Sequence, residues 1–169
     1  MFKPAASSIN HALLPLLLAA CALFCAGCAV YEAPPGFKIV KESHHPNGLT
    51  LGVPEGFEAR QTEVGFVVEP SGNQNREVRR PVVANITLAK GDAPNEPSLE
   101  TKSIGRREVR YGVTKSEGGS GGEVHTLNVF EHVPGGHVKY SQAMQSDAGE
   151  PDFALCWALV NSTKFRETL

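Results

Sequence analysis

Along most of this chain, apolar side chains return at every second position, in short runs that glycine, proline and asparagine interrupt. That period matches the pleat of a β-strand, where successive side chains point to opposite faces, so each run can bury one face and leave the other wet. The first run is Phe37 to Lys41, followed by a turn signal at Pro46-Asn47-Gly48. Leu49, Leu51 and Val53 alternate next and stop at Pro54. Val64, Phe66 and Val68 form a third run before a polar loop from Pro70 to about Arg79. Val82, Ala84, Ile86 and Leu88 form a fourth, ending at Gly91-Asp92, and a loop rich in Pro and Asn runs on to about Ser98. Val109, Tyr111 and Val113 then share a face. Leu127 and Val129 follow a glycine-rich connection at residues 117–123 (EGGSGGE), and Val138, Tyr140 and Met144 follow a turn at Pro134-Gly135-Gly136. With 17 glycines and 12 prolines, the chain favours many short turns over long helices.

Near the end the period changes. Phe153, Cys156, Trp157 and Val160 stand at helical spacing, and Leu155 and Leu159 widen the stripe. Pro151 suits a first helical position, Asp152 suits the positive end of the helix dipole, and residues 161–163 supply a stop. The expected fold class is therefore α+β. It is a mainly antiparallel sheet of about seven strands with a C-terminal helix packed on one face, anchored by Trp157 as a core residue.

The first residues carry an address. Lys3 precedes an uncharged run of 13 residues, Ala12 to Phe24, which fits a secretory signal and is too short to span a membrane comfortably. Cys25-Ala26-Gly27-Cys28 at its end resembles the lipobox of bacterial lipoproteins, with Cys25 where leucine is usual. Leu18-Ala19-Ala20-Cys21 is the alternative, but cutting there leaves an apolar stretch on the mature chain. The resemblance implies a signal peptide over residues 1–27, lipid on Cys28, a tether over residues 28–36 stiffened by Pro34-Pro35, and one β-rich domain over residues 37–169. Ala29 after the cysteine resembles the sorting signal for the outer membrane, facing the periplasm. A domain of ~140 residues buries roughly two-thirds of its unfolded surface, so it needs neither disulfide nor metal to fold.

Little in the sequence points to chemistry. Without residues 1–27 the balance is 15 basic against 18 acidic residues, which gives no general attraction to nucleic acid. Arg106, Arg107 and Arg110 read as solvated charge. Gly118-Gly119-Ser120-Gly121-Gly122 matches G-x-S-x-G, the serine-hydrolase elbow, but strand patterns lie on both sides where that motif needs a following helix. No histidine follows His137 to complete a triad. His132 and His137 flank the Pro134-Gly135-Gly136 turn and can face each other, with His125 and Glu131 nearby in sequence. Two imidazoles seldom make a tight metal site, and exposed hairpin histidines are the simpler reading. No acid occupies an apolar setting that would raise its pKa. Cys156, in Phe153-Ala-Leu-Cys-Trp-Ala-Leu159, reads as a buried small hydrophobe. No catalytic, cofactor or metal residue is expected. What remains is a pair of protruding hairpins whose Glu117, Ser120, Glu123, His132 and His137 could contact a partner.

Two resemblances extend this reading. The run Gly48-Leu-Thr-Leu-Gly-Val-Pro-Glu-Gly-Phe57 resembles the opening hairpin of small exported proteins of the PsbP/DcrB-like fold. Gly65-Phe66, the glycine-rich loop and Pro151-Asp152-Phe153 before the last helix are similar to features of periplasmic lipoproteins that serve as immunity proteins against type VI secretion toxins. The second resemblance implies a protein partner, a secreted toxin, and inhibition by occlusion. A small-molecule- or metal-binding lipoprotein, or one of envelope assembly, is the alternative.

Overall fold

The structure is a computed structural model that describes residues 36–72, 83–118, 122–146 and 151–166. The expected signal peptide, Cys28 with nearly all of its tether, and Ser120 lie outside the described residues.

Among the described residues there are ten strands and one helix. They are β1 (Ile39–His44), β2 (Leu49–Pro54), β3 (Phe57–Gln61), β4 (Gly65–Pro70), β5 (Ala84–Lys90), β6 (Glu100–Ile104), β7 (Arg107–Glu117), β8 (Glu123–Val133), β9 (Gly136–Ser146), α1 (Ala154–Ser162) and β10 (Lys164–Phe165). Seven form one antiparallel sheet in the order β3-β4-β5-β9-β8-β7-β6, and β1-β2-β10 form a smaller one. The main sheet and the C-terminal helix are as the alternation predicts. Its membership differs, because β1 and β2 leave it for the small sheet while β3 and β6 complete it. Those two are its edges: most of their side chains are exposed, and only Phe57 and Ala59 of β3 and Ile104 of β6 turn toward the core, too few to stand out as an apolar period.

The β1–β2 turn shows why Gly48 is needed. Its φ is +93°, and a Cβ there would stand 2.1 Å from the Arg166 carbonyl oxygen, where the chain returns to form β10. β2 is wholly or nearly buried along its length, and α1 packs across it and β9. Across the main sheet, Phe66, Ile86, Tyr140 and Val129 lie in register on the inner face, all at 1% exposure or less. Leu49, Leu51, Leu155, Leu159 and Val160 close over them. Each such side chain contributes about 1.5–3 kcal/mol by leaving water.

The helix begins later than Pro151 implies. Phe153 is its N-cap residue, and Asp152 Oδ1 accepts from the Ala154 amide at 2.8 Å. Gln142, buried on β9, accepts from the Cys156 amide at 2.9 Å. Two of the orphan amides of the first turn thus find partners, one local and one in the sheet. Trp157 departs from expectation as well. It is half-buried beside the core, because the helix turns it toward the β6 margin instead of the centre of the sheet.

The outer face of the main sheet stays polar, with Asn85, Ser141 and Asn128 side by side on β5, β9 and β8. Residues 91–99 cross it, since β5 and β6 are separated by β9, β8 and β7. Arg110, on that face, holds this strap by donating to the carbonyls of Pro94 (3.0 Å) and Glu96 (3.0 Å) and to Asn95 Oδ1 (2.8 Å).

Candidate partner-binding surface

β8 is the spine between the two hairpins that the sequence singles out. Glu123 starts it and His132 lies nine positions on, a distance of roughly 30 Å at about 3.3 Å per residue. The candidate residues therefore form two groups at opposite ends, not one site.

At one end, Glu117 and Glu123 stand directly opposite each other, and the Gly118 amide donates to the Gly122 carbonyl at 2.9 Å. Strands flank the glycines on both sides, so the strand-turn-helix of a nucleophile elbow is not formed here. Like charges facing across a strand pair repel. Part of that repulsion is relieved by His125 Nε2, 3.1 Å from Glu123 Oε2, and by Lys115 Nζ at 3.7 Å from the same oxygen. Both partners of the lysine contact are well exposed, so it adds little stability. The result is an exposed, partly acidic pair of strand ends.

At the other end, His132 and His137 do pair across the hairpin, as expected. They differ in environment. His132 is exposed, whereas His137 is 9% exposed, with Nδ1 3.1 Å from the Gly91 carbonyl oxygen and its ring tilted against Phe130 at 6.0 Å. That contact is a hydrogen bond when Nδ1 carries the proton, so His137 fastens the start of the strap and is not an exposed hairpin histidine. Among the described residues, no group of three or more His, Cys, Asp and Glu side chains could hold a metal ion.

Beneath this second hairpin lies a polar cluster that corrects one expectation and adds a buried acid. Arg107 Nη1 reaches both Glu131 carboxylate oxygens at 2.9 Å and the Thr163 carbonyl at 3.1 Å, and Nη2 donates to the Val160 carbonyl at 2.9 Å. Tyr140 donates its hydroxyl to Glu131 Oε2 at 3.0 Å. Arg107 is thus not solvated charge. It caps the C-terminal carbonyls of α1, where a cation complements the helix dipole, and pairs with an acid only 7% exposed. Glu131 in turn is a buried acid that the sequence reading did not single out. A signal for it existed, because Glu131 continues the inward parity of Leu127, Val129 and Val133. Burial and the neighbouring Glu131 carboxylate hold the Tyr140 phenol well above its ordinary range. Cys156 is buried as expected, and burial pushes its thiol up to about 12.

Residues 50–164, from β2 into β10, match the type six secretion immunity 3 domain, and the chain belongs to that family. It is 34% identical over 134 residues to a protein of Pseudomonas aeruginosa PAO1 named immune protein Tsi3, an alignment that covers 79% of this chain and 88% of that one. In structure it is similar to a crystallised protein of Bacteroides thetaiotaomicron, with a TM-score of 0.58 and 13% identity. That likeness, one of fold alone, covers 77% of this chain, which spans half the length of the other.

Proposed function

We propose that this chain is an immunity protein of type VI secretion, which neutralises a secreted toxin by binding it and without catalysis of its own. The observation that carries the reading is its membership of the immunity 3 family, through a match that runs over nearly all of the described domain. The architecture supports it, since a rigid sheet can offer a protruding hairpin to a cleft without rearranging. Glu117 and Glu123 are the foremost contacts in this reading, with Ser120 a minor one, and acidic groups suit a basic or metal-containing cleft. His132 and His137 lie too far along β8 to join the same contact and would serve a second, separate one. The domain, residues 37–169, hangs from a lipid on Cys28 after removal of residues 1–27 and reaches the periplasm from the outer membrane by the tether at residues 28–36. No cofactor takes part.

Survival of cells is the test. Periplasmic expression of a candidate effector encoded beside this chain should kill cells, and co-expression of the chain should rescue them. Rescue without any complex that can be isolated from the periplasm would refute inhibition by binding.

A further inference from the structure

Strand β6 ends the seven-stranded sheet, and among the described residues nothing pairs with its free side. Such an edge presents a row of unsatisfied amide and carbonyl groups. Four of its five residues, Glu100, Thr101, Lys102 and Ser103, are exposed. Glu100 and Lys102 pair with Tyr111 and Val109, which places them on the face that carries the helix. There the chain's single tryptophan is left half-buried. Trp157 stands edge-on to Tyr111 at 5.2 Å, Lys102 Nζ lies 4.1 Å from its ring centroid, and Tyr111 donates to Glu100 at 2.5 Å. Val113, next on that face of β7, is 47% exposed. Aromatic residues at a partly open margin are the kind that dominate binding energy at interfaces.

We propose that β6 is the interface with a second copy of this chain, through antiparallel pairing of the two β6 strands about a two-fold axis at Thr101. Charge complementarity selects this occupant. An antiparallel pair centred on Thr101 brings Glu100 of each copy against Lys102 of the other, so two opposite charges two positions apart are matched twice by one symmetry operation. Both charged residues share the face of Trp157, so each tryptophan flanks the new junction. Pairing extends the sheet from seven strands to fourteen across the two copies and satisfies the backbone groups that β6 leaves open. Two five-residue edges bury a small area, below the roughly 1,200 Å² of a stable complex, so the dimer is weak and exchanges readily. It involves neither hairpin of β8 and stands apart from the toxin-binding reading.

Sedimentation equilibrium of the full chain in detergent, without toxin, tests this. The wild type should show concentration-dependent dimerisation. Lys102→Glu sets carboxylates opposite each other at both contacts and should weaken it roughly tenfold or more. The double variant Glu100→Lys/Lys102→Glu restores complementarity and should return to within about threefold of wild type. Circular dichroism checks that each variant folds, and Thr101→Asp, which places two carboxylates on the axis, gives the same reading if Lys102→Glu does not fold. A monomer at every concentration would mean that Lys102 guards the edge instead of pairing, and would overturn the proposal. So would a dimer indifferent to these substitutions, or one that the double variant fails to restore.

Discussion

The two hairpins that end β8 use similar sequence material and do opposite work. The β8–β9 turn is tied down from beneath by Arg107 and Glu131 and from the side by His137 on Gly91. Glu117 and Glu123, the strand ends that flank the β7–β8 connection, are exposed and face like charge to like charge. Free energy is concentrated at the first end, and freedom to meet a partner at the second. Substitutions at the tied end should therefore act on stability, and substitutions at the free end on recognition.

The largest effect is expected at the tied end. Arg107→Ala leaves Glu131 buried without its cation and the α1 carbonyls uncapped, and should cost about 3 kcal/mol in chemical denaturation. A loss below about 1 kcal/mol would mean that the cluster is ornamental and the two ends are energetically alike. Trp157 sharpens the point from another position. Being half-buried, it should cost about 1–2 kcal/mol on Trp157→Ala, short of the 3–5 kcal/mol typical of a large side chain in a core.

Cys156 offers a third measure of the tied region. Its thiol has an ordinary value of 9.0 and a native value of about 12, so between those limits the folded chain keeps a proton that the unfolded chain gives up. Stability from this group is complete below pH 9, declines as pH rises through that window, and is lost above about 12. The same burial should keep Cys156 unreactive toward maleimide at pH 8 until denaturant opens the domain; labelling of the native protein at the unfolded rate would contradict it.

Much of this contrast was legible in the sequence, and the exceptions share a cause. Period-two alternation located β1, β2, β4, β5, β7, β8 and β9, because apolar side chains return at alternate positions along each. It missed β3 and β6, edge strands that show water most of their side chains and keep only Phe57, Ala59 and Ile104 against the core. It also could not divide the strands between two sheets, since β10 reaches β2 from more than 110 positions away and pairing partners are not written in local pattern. Arg107 and Arg110 looked like solvated charge because their partners, Glu131 and the end of α1 for the first and residues 94–96 for the second, are distant in sequence. The facing of Glu117 with Glu123 and of His132 with His137 followed directly from turn position, but the length of β8 that keeps the two pairs apart did not.

The smallest effect on stability, and the most direct test of function, lies at the free end. Residues 118–122 are replaced by an Asn-Gly turn in one variant, and Ser120 and His132 by alanine in another. Each is titrated calorimetrically against the toxin, with unfolding measured alongside. Both variants should keep their stability within about 0.5 kcal/mol. The shortened hairpin should bind roughly tenfold or more weakly, while the double alanine variant stays within about threefold of wild type. Unchanged binding by the shortened hairpin, together with loss of binding in the alanine variant, would contradict the account.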